Sequence, residues 1–196
     1  MKSYLYASAG VIAVVGVVLS PVLASAATDT TDVNVTVDSA ITVTTSGTVA
    51  IAINTPVGGG SQSSASDTVT VNSNDPDGFD LTLADSDATT NLVNGANTVA
   101  AHSGTYATPT ALANNTWGWA VASLGTFDAS YSVIDDATSS ASKWAGVPAT
   151  GSPQNIKSTS STASNDVTTV WYSAKVDTTK PAGVYTDTVT YTATVK

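Results

Sequence analysis

From Tyr185 to Val195 the chain alternates with period two. Tyr185, Val189, Tyr191, Ala193 and Val195 fall on one side of an extended strand, and Thr186, Thr188, Thr190, Thr192 and Thr194 on the other. One face is predicted to lie against a core and the other in water. Introduced by a Pro181-Ala182-Gly183 turn, the segment reads as the closing strand of an antiparallel β-domain, with Tyr185, Val189 and Tyr191 buried. The same phase appears near the start. Val33, Val35, Val37, Ile41 and Val43 are all odd-numbered, as are Val49, Ile51 and Ile53 after a turn at Ser46-Gly47, and both runs are predicted as strands.

Between these ends the pattern is uneven. Residues 55–64, rich in Gly and Ser, are expected to form a flexible loop. Thr68 to Val71 and Phe79 to Leu83 read as two arms of a hairpin around Asn72 to Gly78. The pattern then thins from Ala84 to Asn115, where Leu92-Val93 and Thr98 to Ala100 are the only short apolar pieces. Thr116 to Val121 predicts a strand with Trp117, Trp119 and Val121 on one face, and Tyr131 to Ile134 a short one. Residues 137–163 form a long polar excursion with one apolar anchor around Trp144, before a strand from Val167 to Val176. About eight to ten short strands at irregular spacing predict an all-β fold, a single antiparallel β-sandwich of immunoglobulin-like or jelly-roll-like type over residues 27–196. The two long polar stretches are where specificity is expected.

Composition supports this reading. The chain has 196 residues, no Cys, no Arg and no Glu, and its acidic residues are all Asp. Good helix formers are therefore scarce, while Thr, Val, Ser, Gly and Asp suit strands and turns. A formal charge of −9 with no arginine argues against nucleic acid as a partner. Met1-Lys2, the apolar run Val11 to Leu19 and the small residues Ala24-Ser25-Ala26 have the layout of a secretory signal peptide over residues 1–26, a helix preceding the domain, with cleavage after Ala26. An uncleaved membrane anchor is the weaker alternative, since the apolar stretch is nearly long enough to span a bilayer. Export without disulfides suits a bacterial exterior, so the expected location is secreted or at the cell surface.

Asn115-Thr-Trp-Gly-Trp-Ala-Val121, Lys143-Trp-Ala-Gly-Val-Pro148 and Val170-Trp-Tyr-Ser-Ala-Lys-Val-Asp177 together resemble segments of uncharacterised exported surface proteins of small-genome candidate-phyla bacteria. The ending Gly183-Val-Tyr-Thr-Asp-Thr-Val-Thr-Tyr-Thr192 resembles the last strand of WxL-type cell-wall-binding domains and of spore coat U-type, pilin-like domains. The resemblance implies an extracellular β-sandwich. It carries over no functional residue, because the chain has none of the cysteines usual in spore coat U-type domains and follows Trp117 with Gly118-Trp119.

Candidate chemistry is sparse. His102 is the single histidine and sits in the polar run Ala101-His102-Ser103-Gly104, where a solvated loop residue is expected and no Ser-His-Asp arrangement is marked. No cofactor and no enzyme activity are expected. Asp75, Asp77, Asp80, Asp85 and Asp87 form the densest acidic cluster and could offer calcium the oxygens it needs, but their spacing does not match a calcium loop, and Asp, Pro and Gly also serve an ordinary turn. Flat rings at Trp144 and Trp171 could stack on sugars, with Trp117 and Trp119 expected in the core. The expected function is a non-enzymatic surface protein with a structural or adhesive role. It would engage a cell-envelope component, a glycan or like subunits; Thr31 to Val43 is expected to pair within its own sandwich, with addition to a neighbour's exposed edge as the other reading, and the alternative function is a carbohydrate-binding module for envelope or host glycans.

Overall fold

Strands form here where β-branched and aromatic residues meet a partner of matching length, and polar runs do not prevent them. In the computed structural model, which describes residues 27–54, 58–122, 127, 131 and 142–196, the fold is all-β with no helix among the described residues. Among the described residues nine strands make two sheets: β1 (Ile41–Thr44), β2 (Ser61–Ser73), β3 (Phe79–Asp85), β4 (Leu92–Asn94), β5 (Asn97–Ala101), β6 (Thr116–Val121), β7 (Gln154–Ser158), β8 (Ala163–Val176) and β9 (Val189–Val195). The larger sheet runs β1-β2-β8-β6-β5-β4 and the smaller β7-β3-β9. Residues 1–26, expected to be a signal peptide, and Ser132 to Ile134 of the expected short strand lie outside the described residues.

The two long strands β2 and β8 are antiparallel from Ser61↔Val176 to Ser73↔Ala163 and form the centre of the larger sheet. Their alternating apolar positions, Val69 and Val71 on one, Val170, Tyr172 and Ala174 on the other, are buried. They join Phe79, Leu81 and Leu83 of β3, Ile156 of β7 and Trp117 and Trp119 of β6 in one apolar cluster fed by both sheets. The Tyr172 and Tyr191 hydroxyls meet at 2.7 Å, linking β8 to β9 across the two. Residues 37–196 make up one compact unit. Taken separately, residues 27–36 carry no strand and are exposed.

Several expectations change. Residues 27–40 hold no strand, Val33, Val35 and Val37 are exposed, and β1 covers only Ile41–Thr44; Val49, Ile51 and Ile53 are half-buried but lie outside any strand. Alternation supplies an apolar face but not a partner to bury it. Ser61 to Ser64 belong to β2 rather than to a loop, because β8 is long enough to pair them and Ser173 Oγ donates to the Ser63 carbonyl at 2.9 Å. The hairpin is absent: β2 pairs with β1 and β8, β3 with β7 and β9, so residues 74–78 carry the chain from one sheet to the other. Gly78 permits that crossing, with φ at +89° and the Thr159 backbone where a side chain would stand. The β4–β5 hairpin and β7 went unpredicted, since each carries so few apolar residues. The closing strand keeps its predicted phase, but β9 is an edge strand, so Val189 and Tyr191 are half-buried, as is Tyr185 before it.

Candidate functional site

Strand β3 organises the acidic residues, and it also divides them. Its seven residues span about 20 Å, which puts Asp75 and Asp77 at one end and Asp85 and Asp87 at the other. At the first end Asp75 is buried. Its Oδ1 accepts the Asp77 N–H at 2.9 Å, and its Oδ2 accepts the Ser39 hydroxyl at 2.8 Å. Asp80 faces outward from β3, where the Ser158 hydroxyl donates to it at 2.5 Å and Lys196 Nζ lies 3.7 Å away. Ser158 foremost, with Lys196 assisting, holds this carboxyl below the usual range.

At the second end the local chemistry repeats. Asp85 Oδ1 accepts the Asp87 N–H at 2.9 Å, and Asp87 Oδ1 accepts the Thr89 N–H at 2.7 Å. The β3–β9 register, Asp85↔Val189, continues as Ser86 N–H donates to the Thr188 carbonyl at 3.0 Å. Carried two residues past Asp85, it sets Asp87 opposite Asp187, with Asp85 on the adjacent diagonal. Asp85, Asp87 and Asp187 each bring a carboxylate oxygen to within 4.8 Å of the others. Asp187 Oδ1 accepts the Thr188 N–H at 2.8 Å, while Asp85 Oδ2 and Asp187 Oδ2 are buried with no hydrogen-bond partner. Burial, reinforced by the charge and the close side-chain approach of Asp85 and by the charge of Asp87, pushes the Asp187 carboxyl up to about 7 against the opposing pull of the Thr188 N–H. The five predicted acidic residues therefore do not form one site; two of them meet a third that the expectation omitted.

Asp187 was detectable. It occupies the inward phase of the Tyr185–Val195 alternation, between Tyr185 and Val189, as Asp85 does in the series Phe79, Leu81, Leu83, Asp85. A carboxylate in an apolar phase on two neighbouring strands is the signal.

The tryptophans do not form a platform. Trp144 is 0% exposed and meets Tyr131 edge-on at 5.1 Å, so its ring is closed to a sugar. Backbone bonds between Trp144 and Thr110, and between Ala145 and Trp119, dock this apolar anchor against the second half of β6, beyond the reach of β5. Trp117 stacks on Tyr172 and donates Nε1–H to the Thr90 carbonyl, and Trp119 donates to the Gly146 carbonyl. Trp171 is half-buried against the core cluster.

His102 is not a solvated loop residue. It is 6% exposed, with Nε2 2.8 Å from Thr110 Oγ1, and Nδ1 near the Ala113 N–H and the Thr116 hydroxyl. Acceptance at Nδ1 assigns the proton to Nε2. Burial lowers its pKa, and no carboxylate hydrogen-bonds it among the described residues. Gly146 lies against its backbone with no room for a Cβ. The imidazole thus ties the turn after β5 to the start of β6. No family model matches the chain, and neither does any curated protein or solved structure.

Proposed function

We propose that the chain is an exported, non-enzymatic surface protein, a β-sandwich of immunoglobulin-like or jelly-roll-like type that assembles with copies of itself by strand addition after loss of residues 1–26. The observation that carries this reading is Val33, Val35 and Val37, exposed at 82%, 81% and 76% and alternating with Asp32, Asn34, Thr36 and Asp38 outside any strand. Three valines in one phase with polar residues in the other are a strand without a ladder, and an edge strand of a second copy supplies both the hydrogen bonds and the cover. The shared apolar cluster of the two sheets supports the sandwich. With Trp144 buried, the glycan alternative is left with the half-buried Trp171.

Sedimentation velocity on the chain starting at Ala27 tests this. The parent should associate with rising concentration. A Val33→Asp, Val35→Asp, Val37→Asp variant should stay monomeric with an unchanged melting temperature. A parent that remains monomeric at millimolar concentration overturns the reading. Mass spectrometry of the native protein should find Ala27 first.

A further inference from the structure

We propose that Asp85, Asp87 and Asp187 form a binding site for a divalent cation of the calcium class. Three carboxylates from two neighbouring strand ends converge within 4.8 Å. Such clusters are common on acidic surfaces, but this one has a buried member: Asp85 is 1% exposed, and its Oδ2 has no hydrogen-bond partner. Asp187 Oδ2 shares that condition. The other oxygen of each is already fixed, Asp85 Oδ1 by the Asp87 N–H and Asp187 Oδ1 by the Thr188 N–H, so both carboxylates are held with one oxygen uncommitted.

No protein cation balances them. Among the described residues the two ion pairs are Lys157 with Asp166 and Lys196 with Asp80, and neither involves this cluster. A buried carboxylate oxygen without a donor is costly, and like charges at this range add to the cost. A bound cation removes both penalties.

The chemistry of the donors selects the ion. All are hard carboxylate oxygens, with no imidazole or thiolate, which excludes the preferences of zinc or copper. Magnesium demands a near-ideal octahedron and dehydrates reluctantly, whereas calcium tolerates irregular carboxylate sets. The exposed side at Asp87 admits water to complete the six to eight ligands calcium takes. Three carboxylates without a dedicated loop place the affinity near the ~10⁻⁴–10⁻³ M range of extracellular modules.

The position gives the ion a structural task. Asp85 ends β3, and Asp187 lies in the segment before β9 whose Thr186 exchanges two backbone hydrogen bonds with Val93 of β4. That segment leads from the edge of the larger sheet into the smaller one. A cation here ties the crossing to β3. The inference stands independently of the surface location and of self-assembly.

The test is calorimetric titration and thermal unfolding of the chain starting at Ala27, stripped with EDTA, in calcium, magnesium or sodium chloride at matched ionic strength. Calcium at ten times its Kd should bind one ion per chain and raise Tm by about 3–6 °C, with a smaller rise in magnesium. Asp187→Asn and Asp85→Asn should each abolish the calcium increment. Asp75→Asn, at the other end of β3, should keep it. Equal Tm in calcium and EDTA overturns the proposal. So does an Asp187→Asn variant that retains the full increment; because Asp187 is only half-buried, that variant remains informative even where Asp85→Asn does not fold.

Discussion

The two turns that flank β3 start from the same chemistry and end differently. Each begins with a buried Asp whose Oδ1 accepts the N–H two residues on at 2.9 Å, Asp75 from Asp77 and Asp85 from Asp87. At the first turn Ser39 completes the carboxylate with a hydroxyl. At the second, the residue that arrives is Asp187, another carboxylate. An identical local motif is thus a finished structural joint in one place and an electrostatically incomplete one in the other. What separates them is the single side chain that tertiary structure delivers to Oδ2.

The largest expected effect breaks both joints together. Leu81 is wholly buried at the middle of β3, so Leu81→Ala should cost about 2–5 kcal/mol, read by denaturant unfolding, and lower the stability of both turns because they share that strand. The next separates them by sign. In chelator, Asp75→Asn replaces a charge-assisted bond from Ser39 with a neutral one and should cost about 1 kcal/mol. Asp85→Asn keeps an oxygen for the Asp87 N–H, removes a like charge and offers Asp187 Oδ2 a donor, so Tm should rise. A fall in both would show that the two joints are equivalent.

The smallest effect concerns a buried group whose neighbours are already complete. His102 is the single histidine, so its imidazole proton signals can be followed by NMR without overlap. Burial lowers its folded pKa below the ordinary 6.5. The unfolded chain therefore binds the proton first, and the stability this residue contributes is present above pH 6.5 and lost as pH falls through the lower folded value. A titration midpoint at or above 6.5 would contradict the burial described here.

Phase along the sequence located β6, β8 and β9 and the inward set Val170, Tyr172, Ala174, because those strands alternate strongly enough to declare their buried face. It failed where pairing, not hydrophobicity, decides. Ser61 to Ser64 are strand because β8 lies opposite, and β7 is strand with Ile156 as its one buried apolar residue. It over-read Val33, Val35 and Val37, whose alternation is sound but which belong to no strand among the described residues. The acidic site was half legible. Asp85 and Asp87 were visible as a cluster, but Asp187, a hundred residues away from Asp87, joins them only through the β3–β9 register, which no local pattern encodes.

The pairing of β2 with β8 and of β3 with β9 also sets the order in which the molecule can be made. Residue 61 meets residue 176, and residue 79 meets residue 195, so neither sheet can close its ladder until those distant partners have left the ribosome. At about 5–20 residues per second, the early half waits about 6–23 s for its partners. Such non-local closure is slow in its own right, since the loop entropy is spent before any contact repays it. A nascent chain of this topology keeps its two large ladders open from the synthesis of residue 61 to that of residue 195, while local pairings such as β1–β2 and β4–β5 are able to form early.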